Sequence, residues 1–154
     1  MTKNPIIGDI VEIPTSKGFA YAQFTHKQDQ YGALLRVLDG TFDTRPKVFD
    51  EIVDKKHRFV TFFPLSAAIR RKIFFIVGHA DVPLEAKEFP TFRAGAVGKN
   101  RKVATWWLWD GNKEWMIGDL TPKLSHLPIR EIVNDTALIH RIESGYTPEN
   151  DRFH

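Results

Sequence analysis

Residues 8–38, GDIVEIPTSKGFAYAQFTHKQDQYGALLRVL, carry the pattern that decides the fold. A short apolar stretch ends at Pro14, and polar turns near Gly18 and at residues 26–30 separate it from two further stretches. Large and small residues alternate in the middle stretch, which predicts two distinct faces of a strand. Those faces carry Phe19 and Tyr21 on one side and Ala20, Ala22 and Phe24 on the other. The pattern predicts three strands in an antiparallel meander.

A tryptophan-rich hairpin is predicted at residues 103–117, VATWWLWDGNKEWMI. Asp-Gly-Asn between two aromatic runs is typical of a hairpin turn. A turn centred on residues 110–111 would change the cross-strand pairs. We favour a turn centred on residues 111–112, because it separates apolar from mixed residues better. That register pairs Leu108 with Trp115 and Trp106 with Ile117. Its apolar face is Ala104, Trp106, Leu108, Trp115 and Ile117, and its mixed face is Trp107, Trp109, Glu114 and Met116.

Two segments have helical spacing. Residues 46–55 begin with a proline and place four apolar residues on one side, namely Val48, Phe49, Ile52 and Val53. The second helix begins at Asn134 or Asp135 and ends near Gly145. Residues 84–102 show no period and are predicted to be loop.

These elements predict an α+β fold. Its sheet is mainly antiparallel and strongly twisted, built from the N-terminal meander and the Trp-rich hairpin, with two short helices. We expect a single domain over residues 1–154, with a folded core at residues 6–147 and a frayed tail at residues 148–154.

Composition limits the functional classes. The 154 residues contain no cysteine, which excludes thiolate zinc sites, iron–sulfur clusters, thiol nucleophiles and disulfide scaffolds. No apolar leader precedes residue 6, and the longest apolar run, residues 73–77, is far below the ~20 residues that cross a bilayer. We therefore expect a cytoplasmic protein with no membrane association.

No catalytic pattern is readable. The six histidines lack metal-ligand spacing, and no serine lies in a nucleophile elbow. We therefore predict no catalytic residues, no metal and no cofactor. His79 and Asp81 follow a predicted strand and could perform acid–base chemistry, but a simple turn at the strand end is the favoured interpretation.

Four segments together resemble the immunity protein 26 family of bacterial polymorphic-toxin systems. They are Gly8-Asp-Ile-Val-Glu-Ile-Pro14, Gly18-Phe-Ala-Tyr-Ala-Gln23, Ile76-Val-Gly78 and Leu138-Ile-His-Arg-Ile-Glu-Ser-Gly-Tyr146. The resemblance extends in order over residues 6–147. It implies an α+β fold and a non-enzymatic protein that binds and neutralises a cognate toxin. The oligomeric state stays open.

A tight toxin complex needs aromatic or arginine anchors in a complementary charge field. The candidate anchors are Tyr21, Arg101, Trp107 and Trp109. The net charge is +3, whereas an inhibitor that fills a basic nuclease groove is normally acidic. Three alternatives follow: a toxin that is not a nuclease, a contact away from its active site, or a local acidic patch. The patch would be Asp50, Glu51 and Asp54 on the first helix.

Nucleic-acid binding is the main competing hypothesis. Residues 99–102, KNRK, form a basic loop near the aromatic hairpin, and such hairpins can stack bases. The basic and acidic residues are otherwise interspersed along the chain, which makes a nucleic-acid partner the less favoured one.

Overall fold

Eight strands and four α-helices lie within residues 4–151, the part of the chain that the computed structural model describes. The strands are β1 (Asp9–Thr15), β2 (Gly18–Gln28), β3 (Gly32–Val37), β4 (Phe59–Phe63), β5 (Phe75–His79), β6 (Phe92–Ala94), β7 (Trp106–Trp109) and β8 (Glu114–Gly118). The α-helices are α1 (Asp50–Asp54), α2 (Leu65–Arg70), α3 (Leu84–Lys87) and α4 (Asp135–Ser144). The predicted α+β class is confirmed.

The first sheet contains the predicted meander. Its order is β4-β3-β2-β1-β5, with antiparallel pairing throughout. The two faces of β2 are as the alternation predicted: Tyr21 packs on one side of the sheet, and Ala20 and Ala22 pack on the other. The fifth strand of this sheet, β5, pairs with β1 and places His79 opposite Asp9.

Helices α2 and α4 cover the face that carries Ala20 and Ala22. Leu65 from α2 and Leu138 from α4 belong to this core cluster. The predicted C-terminal helix is confirmed: the Asn134 side chain accepts a hydrogen bond from the Ala137 N–H at 2.8 Å, which caps α4. Helix α2 was not predicted.

The opposite face is covered by α1 and by the second sheet. Helix α1 lies where a helix was predicted, but the predicted start at residue 46 is wrong. Phe49 occupies the N-cap position, and Val48 remains 70% exposed instead of facing the core. Phe49, Ile52 and Val53 do pack against Tyr21 and Leu38, as one face of a helix requires.

The second sheet has the order β6-β7-β8. Residues 84–102 are mostly irregular, as predicted, but α3 and β6 lie among them and were not predicted. Leu108 faces Trp115 as predicted, but Trp106 faces Gly118 rather than Ile117, since a bulge between Trp106 and Trp107 shifts the register.

Aromatic rings join the two sheets. We call this cluster the aromatic seam: Tyr31, Phe62, Phe89, Phe92 and Trp109. The Phe62 and Phe92 rings stack with centroids 5.1 Å apart, and Trp109 meets Phe89 edge-on at 5.6 Å. Leu34 completes the buried cluster. The seam therefore fixes the second sheet on the first.

The expectation of a frayed tail is wrong for residues 148–151. Pro148–Asn150 form a short 3-10 helix, and the Pro148 carbonyl accepts a 2.7 Å hydrogen bond from the buried Arg93 guanidinium. Tyr146 donates its hydroxyl proton to Asp151 at 2.8 Å. Arg93 also lies over the Trp106 ring, so this segment is tied to the second sheet. The rest of the predicted tail, residues 152–154, lies outside the described residues.

We expect Phe62→Ala to lower the free energy of unfolding by about 3–5 kcal/mol, because it leaves a cavity in the middle of the seam. Phe75→Ala is the matched control, since Phe75 is 44% exposed on edge strand β5, and it should cost at most about 1 kcal/mol. Urea denaturation measures both values. Equal losses in the two variants would contradict the central role of the seam.

Candidate partner-binding surface

Three large apolar side chains are exposed on the second sheet, one on the central strand β7 and two on the edge strand β8. Trp107, Trp115 and Met116 are 37%, 41% and 62% exposed, and we call them the exposed hairpin edge. Trp107 and Met116 are a cross-strand pair on the same face of the sheet, while Trp115 pairs with Leu108. Trp115 and Met116 follow a predicted hairpin turn, yet their exposure was not predicted, because the sequence does not show which parts of the hairpin the first sheet covers.

Hydrogen bonds and a glycine fix the conformation of the hairpin turn. The Asp110 carboxylate accepts hydrogen bonds from the N–H groups of Asn112 and Lys113 at 2.9 and 2.8 Å. These backbone donors lower the pKa of Asp110. Gly111 has φ +96°, and an added Cβ would lie 3.0 Å from the Phe89 ring. The turn residues therefore hold the hairpin in one register.

Strand β8 ends the second sheet and pairs with no second strand within residues 4–151. The Asp110 N–H donates to the Lys113 carbonyl, so the next residues to exchange backbone hydrogen bonds across the hairpin are Leu108 and Trp115. The backbone groups of Met116 therefore point outward. Exposed edges of this kind normally carry charges or proline, whereas β8 presents Trp-Met-Ile after Glu114.

A basic tip extends from the same sheet. The connection between β6 and β7 forms a bridge between Val97 and Val103, and beyond it the turn at residues 98–102 closes with a hydrogen bond of 2.8 Å from Gly98 N–H to Lys102 O. Arg101 occupies this turn with φ +62° and is exposed. The connection brings Arg101, a predicted anchor, and Trp107 onto one ribbon.

Two predicted anchors are buried, so their assignment as partner contacts is wrong. Trp109 is 5% exposed because it lies in the aromatic seam, two residues beyond Trp107 along β7. Tyr21 is fully buried and donates its hydroxyl proton to Glu12 at 2.9 Å. Alternation within a strand cannot reveal this, since burial depends on which part of each face another layer covers.

The buried Glu12 carboxylate forms an ion pair with Arg45, whose side chain is largely exposed. Arg45 donates to both carboxylate oxygens at 2.8 and 3.1 Å, and its guanidinium is the main cause of a lowered Glu12 pKa. Burial and the Glu12 carboxylate raise the pKa of Tyr21. This arrangement neutralises a buried charge, and it explains the position of Tyr21 without any partner.

The predicted acidic patch is exposed. Asp50, Glu51 and Asp54 all lie on the outer side of α1, as predicted. Helix α1 covers the part of the sheet around Tyr21, whereas the hairpin covers the part around Phe62, so the acidic and aromatic candidates form separate surfaces.

His79 contacts the carboxylate of Asp9 and not that of Asp81, the residue considered with it in the sequence. Its Nδ1 lies 2.9 Å from Oδ1 of Asp9, which is 1% exposed. The pairing of β1 with β5 places these residues opposite each other. Seventy positions separate them in the chain, so only knowledge of this pairing reveals the contact.

A polar pocket lies beneath α3. The buried Arg36 donates to Gln23 Oε1 at 2.9 Å and to the Val53 carbonyl at the end of α1. Arg36 and His57 line a cavity of about 420 Å³. Burial, and the positive charges of Arg36 and Lys56, lower the pKa of His57 to about 4. His57 therefore remains neutral near pH 7.

No protein family, curated protein or solved structure matches this chain in the comparisons. Within residues 4–151, no helix is long and apolar enough to cross a bilayer. The same residues contain no group of three or more potential side-chain ligands arranged to hold a metal ion.

We expect opposite outcomes for two neighbouring tryptophans. Trp109→Ala should lower the free energy of unfolding by about 3–5 kcal/mol, because it removes a ring from the seam. Trp107→Ala should change it by at most about 1 kcal/mol. Chemical denaturation followed by circular dichroism measures both; a larger loss for Trp107→Ala would show that the exposure of these rings is misassigned.

The low pKa of His57 predicts a pH dependence of stability. In the unfolded chain His57 binds a proton near pH 6.5, but in the folded protein only near pH 4. The unfolded state therefore binds more protons over this range, and stability falls as the pH decreases through it. His57→Gln should reduce this decline, as measured by urea denaturation at pH 7, 5.5 and 4. An unchanged difference between pH 7 and pH 4 would contradict the assignment.

Proposed function

We propose that this protein binds and neutralises a cognate bacterial polymorphic toxin without catalysing a reaction. The observation that carries the proposal is the exposed hairpin edge: Trp115 and Met116 lie on edge strand β8, and Trp107 lies on the neighbouring strand β7. The resemblance to immunity protein 26 independently suggests the same class of function.

The proposed contact combines backbone and side-chain recognition. An extended segment of the toxin can pair with the outward backbone groups of β8, and its side chains can pack against the exposed aromatic rings. Tryptophan is strongly enriched among the residues that dominate binding free energy, since it buries a large rigid surface at a small entropic cost. Because Trp107 is not needed to fill the core, its ring is available for such a contact.

The positive charges near Trp107 indicate which kind of toxin surface would be complementary. Lys99, Arg101 and Lys102 lie at the exposed tip beyond Trp107, so a complementary surface carries acidic residues around an apolar centre. This favours two of the alternatives left open by the sequence: a toxin that is not a nuclease, or a contact away from a basic substrate groove. The acidic patch on α1 is a separate surface and is not required by this proposal.

Nucleic-acid binding is a second candidate function, favoured by one specific observation. Arg101 and the exposed Trp107 share a ribbon, so a cation and a ring that can stack on a base are both available on it. The positive charge is small and local, which makes this the weaker candidate.

The test begins with the gene next to the one that encodes this chain: we expect it to encode the toxin, whose toxic domain is then purified in an inactivated form. We expect Trp107→Ala and Trp115→Ala each to weaken binding by at least about 30-fold, the effect of a 2 kcal/mol anchor. Val48→Ala is the control, since Val48 is an apolar side chain outside the hairpin that is even more exposed, at 70%. Titration calorimetry measures affinity, and growth on co-expression with active toxin measures neutralisation. Absence of protection by the unmodified protein would refute the proposal.

Strand pairing has its own test. Met116→Pro removes an N–H that points outward and leaves the pairing with β7 intact, whereas Met116→Ala retains the N–H. We expect the proline variant to bind more weakly than the alanine variant. If the two bind alike, the toxin does not extend the sheet.

A single-stranded oligonucleotide is titrated in parallel, and affinity that falls steeply with salt would favour the nucleic-acid function instead.

A further inference from the structure

Strand β8 is the open edge of the second sheet. At the opposite edge, beside β6, the Arg93 N–H donates to the Pro128 carbonyl at 2.8 Å, and the Arg93 carbonyl accepts from the Arg130 N–H at 3.0 Å. Residues 128–130 therefore cover that edge, whereas no segment within residues 4–151 pairs with the outer side of β8. An uncovered edge with exposed apolar side chains is a template for pairing with another chain. The proposed function accounts for this edge only while toxin is bound.

The residues of β8 and its flanks are arranged symmetrically about Met116. From Lys113 to Asp119 the chain reads Lys-Glu-Trp-Met-Ile-Gly-Asp. The apolar residues Trp115 and Ile117 lie one position on either side of Met116, and the two opposite charges lie three positions on either side. When two copies of a strand pair antiparallel about a two-fold axis, positions equally far from the axis lie opposite each other. An axis at Met116 therefore pairs apolar side chains and unlike charges.

The free backbone groups have the same centre. The N–H and C=O of Met116 point away from β7, as the hydrogen-bonding pattern of the hairpin requires. In the two-fold arrangement, the Met116 N–H of each copy donates to the Met116 carbonyl of the other copy. The backbone and the side chains of β8 thus favour one register.

Neighbouring registers fit less well. An axis at Glu114 would place two carboxylates opposite each other, which destabilises a strand pair. An axis at Trp115 would place Lys113 opposite Ile117, and an axis at Ile117 would place Trp115 opposite Asp119. Only the axis at Met116 gives both charged positions an oppositely charged neighbour.

The two charged groups are available for this contact. Lys113 and Asp119 are exposed, and neither forms a salt bridge within residues 4–151. Glu114 is paired with Arg130 inside one copy, so its charge is already compensated. The bulge in the β7–β8 pairing leaves Ile117 without an opposite residue on β7, and the long Lys113 side chain can span the resulting shift of one position.

Self-pairing would cover all three side chains of the exposed hairpin edge. On one face, the two Met116 side chains meet at the axis with a Trp107 ring on either side. On the other face, Trp115 of each copy lies opposite Ile117 of the other. Aromatic rings and methionine are enriched in protein interfaces. Because each copy contributes the same edge, the pairing occupies both edges and assembly stops at two copies.

We propose that two copies of this protein pair through β8 about a two-fold axis at Met116, forming one continuous sheet with three strands from each copy. This dimer covers the toxin-binding edge, so toxin and a second copy compete for β8. The competition rests on the proposed function, whereas the dimer does not. Since two copies have to separate before toxin binds, the apparent affinity for toxin decreases as the concentration of this protein rises.

Two charge reversals test the register. Lys113→Glu places two carboxylates at each end of the paired strands, and Asp119→Lys places two ammonium groups there. Each variant alone should dimerise at least about tenfold more weakly than the unmodified protein. A mixture of the two variants restores opposite charges at both ends, so the heterodimer should dissociate within about threefold of the unmodified dimer. Sedimentation velocity measures these constants from the mass of one chain, 17.7 kDa, and that of its dimer.

Lys27→Glu is the matched control, because it reverses an exposed lysine on β2, in the first sheet, and should leave dimerisation unchanged. A protein that stays monomeric from about 1 µM to 1 mM would overturn the proposal. Equal weakening in Lys27→Glu, or no recovery in the mixture, would also overturn it, because the losses would then not depend on the two-fold register.

A disulfide cross-link provides an independent test, since the chain has no cysteine of its own. Directly opposite positions have Cα atoms about 5.5 Å apart, within the range that a disulfide spans. Met116→Cys should therefore form a covalent dimer under mild oxidation. Glu114→Cys is the control, because its two copies would lie four positions apart in the paired strands and should remain unlinked. Equal cross-linking of the two variants would contradict the axis at Met116.

The competition is tested separately, with the inactivated toxin. Adding toxin to the dimer should produce a complex with one copy of this chain, as measured by sedimentation. A toxin complex that retains two copies would overturn the competition and leave the dimer standing. A chain that dimerises but never protects against toxin would refute the proposed function, and the competition with it, without affecting the dimer.

Discussion

The packing of Trp109 against Tyr31, Phe62, Phe89 and Phe92 is the constraint on which the arrangement of the second sheet depends. The second sheet has only three short strands, and the burial of its apolar rings depends on packing against the first sheet. Once Trp109 is buried over the first sheet, the direction of β7 is fixed. Trp107 lies on the same face of β7 as Trp109, but outside the region that the first sheet covers. Its ring therefore remains exposed. The seam therefore determines the protein's exposed aromatic surface as well as its core.

Buried charges reinforce this arrangement by tying separate segments to the sheets. Arg36 lies between the apolar clusters under α1 and at the seam, and it donates to Gln23 and to the carbonyl end of α1. Arg93 links β6 to the carbonyls of Leu127 and Pro148. A guanidinium suits these places because its planar donors can satisfy several carbonyls at once. Each arginine thus holds segments that have no strand pairing of their own against the sheets.

Two of the surfaces with exposed large apolar groups lie at sheet edges. Strand β8 ends the second sheet beside Trp115 and Met116, and β5 ends the first sheet beside Phe75. Edge strands offer backbone groups that no neighbour uses, and they are the natural places for contacts with other molecules. The chemistry differs between them. The hairpin edge shares its sheet with the basic tip at residues 98–102, whereas the β5 edge adjoins a cleft that His79 lines.

The sequence by itself determined the elements whose signals are local. Alternation predicted the meander, and capping residues predicted a helix beginning at Asn134 or Asp135. The separation of apolar from mixed residues selected the pairing of Leu108 with Trp115. Strand β6 is only three residues long, and the irregular connection at residues 95–105 separates it from β7, so no local period revealed it. Burial of Tyr21 and Trp109, and the contact of His79 with Asp9, were decided only by the tertiary structure. The physical reason is that a side chain's exposure and partners depend on which distant layer covers its strand, and a periodic pattern carries no information about that layer.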